Sequence, residues 1–241
     1  MAKNFFGNFP EISYKLDDGK IIFIKDFFRK SKIEQEAVNS IIEYDLYELE
    51  DGERPDILAT KLYNDARLHW LFFLVNDIEN YFDWHKDNET FERYIEKKYK
   101  GKIFKFSNTT DIVSAPTDVL DHKFLLGEKV TQGDTFGRII KVSPIEKTIC
   151  VEGGDFVANQ EITGAVSNKK STPTSIINHR DGTAYFKNSD GVRTNIQTTG
   201  FSSVTFFEDE FDINEEKRKI KIIKPEITTS IVNKFEEVMS V

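Results

Sequence analysis

A chain of 241 residues with 39% hydrophobic and 13% aromatic content can build real cores in two small domains or one large one, which excludes disorder throughout. Its 41 acidic residues against 33 basic ones leave a net charge of −8, so no overall basic field draws it to nucleic acid or an anionic membrane. The single Cys150 excludes an internal disulfide, MAKNFFGNFP is no secretory leader, and no apolar run approaches the ~20 residues that span a bilayer, so synthesis in a reducing cytoplasm is expected.

In chain order, an aromatic opening with Phe5 and Phe6 leads into a hairpin of Ile12 to Leu16, an Asp17-Asp18-Gly19 turn, and Lys20 to Ile24. Ser31 is placed to cap a short helix through Ile42, where Ile33, Ala37, Val38 and Ile41 share one face. Residues Tyr44 to Leu49 alternate as a strand and Asp51-Gly52 supplies a turn. Pro55 sits where a helix begins, because its missing N–H would be unsatisfied there in any case. Ile57, Leu58 and Leu62 give that helix an apolar side. Asn64-Asp65 breaks it before a second helix starting at Leu68. The run Trp70 to Val75 is apolar nearly all round, so neighbouring segments must cover both faces. A further helix is expected over Glu89 to Tyr99, capped by Asn88 and stopped by Gly101.

The ordered set Gly52-Glu53-Arg54-Pro55, Leu58-Ala59, Tyr63-Asn64-Asp65, Leu68-His69-Trp70 and Asn76 resembles the LysM-like segment of tail and baseplate proteins in contractile-tailed phages. With the flanks Asp26-Phe27-Phe28-Arg29, Tyr81-Phe82-Asp83-Trp84 and Phe91 to Tyr99, the N-terminal hundred residues look like the baseplate wedge protein of those phages. The resemblance covers under half of the chain.

From Ser107 to about Val204, Gly, Thr, Ser and Val dominate and short apolar runs alternate with turns, which predicts a β-rich domain. Phe124 to Thr131 aligns with Phe156 to Thr163 at a separation of 32 residues, as expected of two similar hairpins in a small barrel or sandwich. Gly137 to Val142 and Thr148 to Val151 are the intervening strands. Gly133-Asp134-Thr135-Phe136 looks like the opening of glycan-binding LysM modules, but no helix pattern follows and it reads as a β-turn. The acidic block Glu208-Asp209-Glu210 then gives way to Lys217-Arg218-Lys219, Lys221 and Lys224, a strand at Ile220 to Ile223, and Pro225. Ile227, Ile231, Phe235 and Val238 make the stripe of an amphipathic helix. Such a stripe must be covered, either by its own domain or by a groove on another subunit.

The fold expected is α+β: a LysM-like αβ domain over residues 1–105, an all-β barrel- or sandwich-like domain over 106–205, and a charged C-terminal strand-helix arm over 206–241. None of the four His stands at zinc spacing, and P-loop, nucleophile-elbow and dinucleotide motifs are missing, so no enzyme, metal or cofactor is expected. The resemblance implies a structural subunit of a virion's tail baseplate, assembled in the host cytoplasm. It would bind other wedge proteins, link adjacent wedges into a six-fold ring, and meet the central hub. The partner-binding residues expected are Ile227, Ile231, Phe235 and Val238 with Lys217, Arg218, Lys219 and Lys221, and the aromatic set Phe5, Phe6, Tyr81, Phe82 and Trp84. The alternative is a peptidoglycan-binding LysM accessory module of a tail-associated lysin, which would expose Tyr63 and Trp70 to sugar.

Overall fold

The computed structural model describes residues 7, 9–26, 44–112 and 123–239. The chain divides into two compact units, residues 1–90 with 213–241, and residues 91–212. This differs from the linear segments expected, because strands near both expected boundaries pair outside their own segment.

In the first unit β1 (Glu11–Lys15) and β2 (Ile21–Lys25) form the expected antiparallel hairpin, with Tyr14 opposite Ile22. The helix expected over Ser31 to Ile42 lies outside the described residues. β3 (Tyr44–Glu48) is followed by α1 (Pro55–Tyr63), a 3-10 turn at Ala66–His69 and α2 (Trp70–Val75). Pro55 opens α1, and Asn64 closes it in the left-handed region at φ 54°. Asp65 then accepts from the Arg67 N–H at 3.0 Å and caps the 3-10 turn.

β3 does not stand alone. It pairs antiparallel with β14 (Lys219–Ile223), with Tyr47 opposite Ile220 and Asp45 opposite Ile222. The inner face of this two-stranded sheet buries Ile220 and Ile222 among Leu49, Leu58, Ala59, Phe72 and Trp84. Ile223 joins Leu68, Trp70, Leu71, Val75 and Val232 in an adjoining core. Both cores therefore draw on both ends of the chain, and each buried isoleucine contributes roughly 1.5 to 3 kcal/mol.

In the second unit β4 (Lys102–Lys105), β5 (Lys129–Gln132), β6 (Thr135–Ser143), β7 (Thr148–Glu152), β8 (Ile162–Gly164), β9 (Lys170–Ser171) and β10 (Ser175–Asn178) form one antiparallel sheet in the order β10-β4-β7-β6-β5-β8-β9. That order is linear, so of the barrel- or sandwich-like alternatives no closed barrel forms among the described residues, and the fold is α+β as expected. One face of the sheet buries Phe104, Ile139, Ile149, Val151, Phe156 and Ile162. A three-stranded sheet of β11 (Thr183–Lys187), β12 (Arg193–Thr194) and β13 (Ser202–Thr205) follows.

The aligned segments at 124–131 and 156–163 are related in space. β5 and β8 pair antiparallel with Thr131 opposite Thr163, so equivalent residues of the two segments meet. Val130 and Ile162, equivalent in the alignment, are both fully buried in one core with Phe124 and Phe156.

α3 (Asn88–Lys98) is capped by Asp87, whose Oδ1 accepts from the Thr90 N–H at 2.8 Å, rather than by Asn88. The acidic block lies in a helix, α4 (Phe206–Glu216). A reciprocal cap starts it: Thr205 N donates to Glu208 Oε2 at 2.8 Å and Glu208 N to Thr205 Oγ1 at 3.1 Å. Within the second unit Glu210 accepts from Lys98 Nζ at 2.6 Å, Tyr99 at 2.8 Å and Tyr94 at 3.0 Å. Burial pushes this carboxyl up, but the three donors outweigh it and hold its pKa below the ordinary value. The last described element is α5 (Pro225–Met239).

Candidate interaction site

The motif residues of the first unit are committed to the returning C-terminal segment. Tyr63 donates its hydroxyl to the Ile223 carbonyl at 2.9 Å, and burial pushes the phenol's pKa up to about 12. Trp70 packs its ring 4.6 Å from that of Phe235. Asn76 donates to the Lys221 carbonyl and accepts from its N–H, both at 2.8 Å. At the turn, Glu53 accepts from Tyr47 at 3.1 Å and Lys61 at 3.3 Å, while its carbonyl accepts from the Trp84 indole at 2.9 Å.

Part of the expected partner-binding set makes contacts within its own chain. Ile227, Ile231 and Phe235 are half-buried and pack against Leu68, Trp70, Leu71 and Val75 of their own chain, so the stripe is covered within the fold. Val238 lies on α5, and its side chain falls outside the described residues, as do Phe5 and Phe6. The basic cluster also serves the fold: Lys217 pairs with Asp83 at 3.8 Å, Arg218 with Glu215 at 3.2 Å, and Lys221 lies 4.8 Å above the Tyr44 ring. Lys219 stays exposed, opposite Glu48. Trp84 is only 6% exposed and belongs to the core.

Tyr81 and Phe82 stand apart from this, at 57% and 74% exposure. They sit on a 3-10 turn, Tyr81–Asp83, capped by Asn80, whose Oδ1 accepts from the Phe82 N–H at 3.0 Å. Asp83 N donates to the Asn80 carbonyl at 2.9 Å, and Lys86 Nζ to the Phe82 carbonyl at 2.7 Å. Phe73, Tyr81 and Phe82 follow ring to ring at 6.3 Å spacings. The backbone of the turn is thus hydrogen-bonded on both sides while its two aromatic side chains are exposed.

The one thiol is buried, with its Sγ 3.7 Å from the Lys100 carbonyl. Cys150 Sγ lies 3.5 Å from His179 Nδ1, but that nitrogen is 3.0 Å from the Lys100 carbonyl, which commits its proton. Burial pushes the thiol up to about 11, so it stays protonated at neutral pH. Among the described residues no group of His, Cys, Asp and Glu could hold a metal, and no helix is long and apolar enough to cross a membrane.

No curated protein matches the chain. A family model described as Base plate wedge protein 53 matches residues 5–108, a range holding the motif residues and the Tyr81–Asp83 turn but not their C-terminal partners at 219–235. Residues 5–108 are thus similar to a phage base plate wedge protein, and the match supports a structural place in the tail baseplate.

Proposed function

We propose that the chain is a connector within the baseplate wedge, binding other wedge proteins and linking adjacent wedges into a six-fold ring around the hub. Its mechanism is binding alone. The observation that carries this reading is the exposure of Tyr81 and Phe82 on a fixed turn inside the matched range. Exposed aromatics on a pre-organised turn lose little entropy on docking, and repeated contacts between copies related by rotation close into a ring. The β-α-α unit, closed by β14, serves as a LysM-like protein-contact module. Trp70, which glycan binding would need at the surface, is buried beneath α5.

The test is co-purification with the other wedge proteins. Phe82→Ala and Tyr81→Ser together should abolish retention while the melting temperature stays within about 2 °C, since both side chains are exposed. Unchanged retention would refute this contact.

A further inference from the structure

The alternation of the seven-stranded sheet sends Phe104, Ile149 and Val151 into the core and leaves Ile103, Lys105, Thr148 and Cys150 on the opposite face. Lys141 stands opposite Cys150 in the next strand and joins that face. The three-stranded sheet faces it across a cleft of about 520 Å3, to which Asn195, Gln197 and Ser203 contribute. This is the size of a ligand pocket, and its lining mixes aliphatic and aromatic side chains with two lysines. Lys105 makes no ion pair among the described residues, and Lys141 has only Glu146 at 3.9 Å, the one carboxylate in the lining. Both lysines are exposed, so two ammonium groups facing one cleft with a single carboxylate present a locally positive surface that attracts carboxylates.

Two further residues narrow the occupant. Ile145 and Ile196 line the same cleft, yet they are 93% and 73% exposed. A free phosphate or small acid would leave both aliphatic side chains in water, whereas a peptide alternating acidic and aliphatic residues covers them while neutralising the lysines.

We propose that this cleft takes an extended acidic peptide segment of a neighbouring protein, with carboxylates at Lys105 and Lys141 and an aliphatic side chain between Ile145 and Ile196. A peptide occupant presupposes the subunit role proposed above. The site is separate from the Tyr81–Asp83 turn.

The probe is a fluorescein-labelled synthetic peptide alternating aspartate with isoleucine, titrated against the full-length protein by anisotropy. Its asparagine counterpart and inorganic phosphate serve as competitors. Saturable binding is expected, weakened about tenfold in Lys105→Gln/Lys141→Gln and also in Ile196→Ser, with melting unchanged and the asparagine peptide a poor competitor. No saturable binding, or binding indifferent to the lysine substitutions, would overturn the proposal. Displacement by phosphate with no effect of Ile196→Ser would overturn it in favour of a free-anion site. Peptide binding that survives the Phe82 and Tyr81 substitutions, in a protein no longer retained by wedge proteins, would separate failure of the turn from failure of the cleft.

Discussion

Asn76 holds Lys221 by both backbone groups, its Oδ1 accepting the Lys221 N–H and its Nδ2 donating to the Lys221 carbonyl, each at 2.8 Å. The carboxamide takes the place that a further strand would occupy beside β14, and its Nδ2 also donates to the Phe72 carbonyl at 2.8 Å. A residue at the end of α2 thereby closes the edge of a strand 145 positions later. Asn76→Ala should destabilise the first unit by about 2 to 3 kcal/mol, since it leaves part-buried backbone groups unpaired. Asn76→Asp should cost at least as much, because a carboxylate cannot donate to the two carbonyls. Urea denaturation followed by Trp fluorescence measures both, and a loss below about 0.5 kcal/mol would show that the grip contributes little.

The C-terminal segment should be indispensable to the first unit. Phe235→Ala is expected to cost about 2 kcal/mol, and a double-mutant cycle with Trp70→Ala should return a coupling of about 1 kcal/mol for the ring pair. Truncation after Arg218 removes Ile220, Ile222, Ile223 and the cover of Trp70, and should unfold the unit outright. Retention of a cooperative melt for both units after that truncation would contradict the packing described.

Much of the local structure was legible in the residues, because caps and turns announce themselves within a few positions. Pro55, Asn64 and the Asp17-Asp18-Gly19 turn each act where the pattern placed them. The helix at Phe206–Glu216 hides behind its run of acidic residues, although Thr205 and Glu208 form a capping box visible in the sequence. The pairing of β3 with β14 left no local trace, since hydrogen bonds between strands so far apart depend on no short spacing. For the same reason the stripe of Ile227, Ile231 and Phe235 announced that it needed cover, but not which surface supplied it. Nor did residue type separate the exposed Phe82 from the buried Trp84 two positions away.

Acid should weaken the first unit through His85. Its side chain is buried, its Nε2 makes no hydrogen bond among the described residues, and the nearest carboxylate, Glu215, lies 3.6 Å away. Burial lowers its pKa, and Arg218 adds to this, against the opposing pull of Glu215 and Asp51. With the folded pKa below 6.5, the unfolded chain binds the proton more readily. Stability is therefore full above 6.5 and lost as pH falls from there through the folded pKa. Urea midpoints at about pH 7.5 and pH 5 should differ in the native protein and differ less in His85→Asn. An equal slope in both would assign the acid sensitivity elsewhere.

The hairpin turn after β8 should tolerate no side chain at Gly164. A Cβ there would press on Ser167 Oγ and come within 2.7 and 2.8 Å of the Glu128 carboxylate oxygens. That buried carboxylate accepts from Leu125 N at 2.6 Å, Ser167 N at 3.0 Å and Ser167 Oγ at 2.9 Å, tying the two hairpin copies together. Gly164→Ala is expected to destabilise the second unit by about 2 to 4 kcal/mol, and Glu128→Ala by a similar amount. Differential scanning calorimetry should register the loss in one transition. An unchanged thermogram for Gly164→Ala would show that the turn relaxes freely.

A cryo-EM reconstruction of the assembled phage tail, at a resolution that shows side chains, tests the functional reading most directly. The chain should occupy the baseplate, with Tyr81 and Phe82 buried against another subunit and Lys219–Ile223 paired to Tyr44–Glu48 of the same copy. Density showing Tyr81 and Phe82 in open solvent, or the C-terminal strand and helix docked on a neighbouring copy, would contradict it.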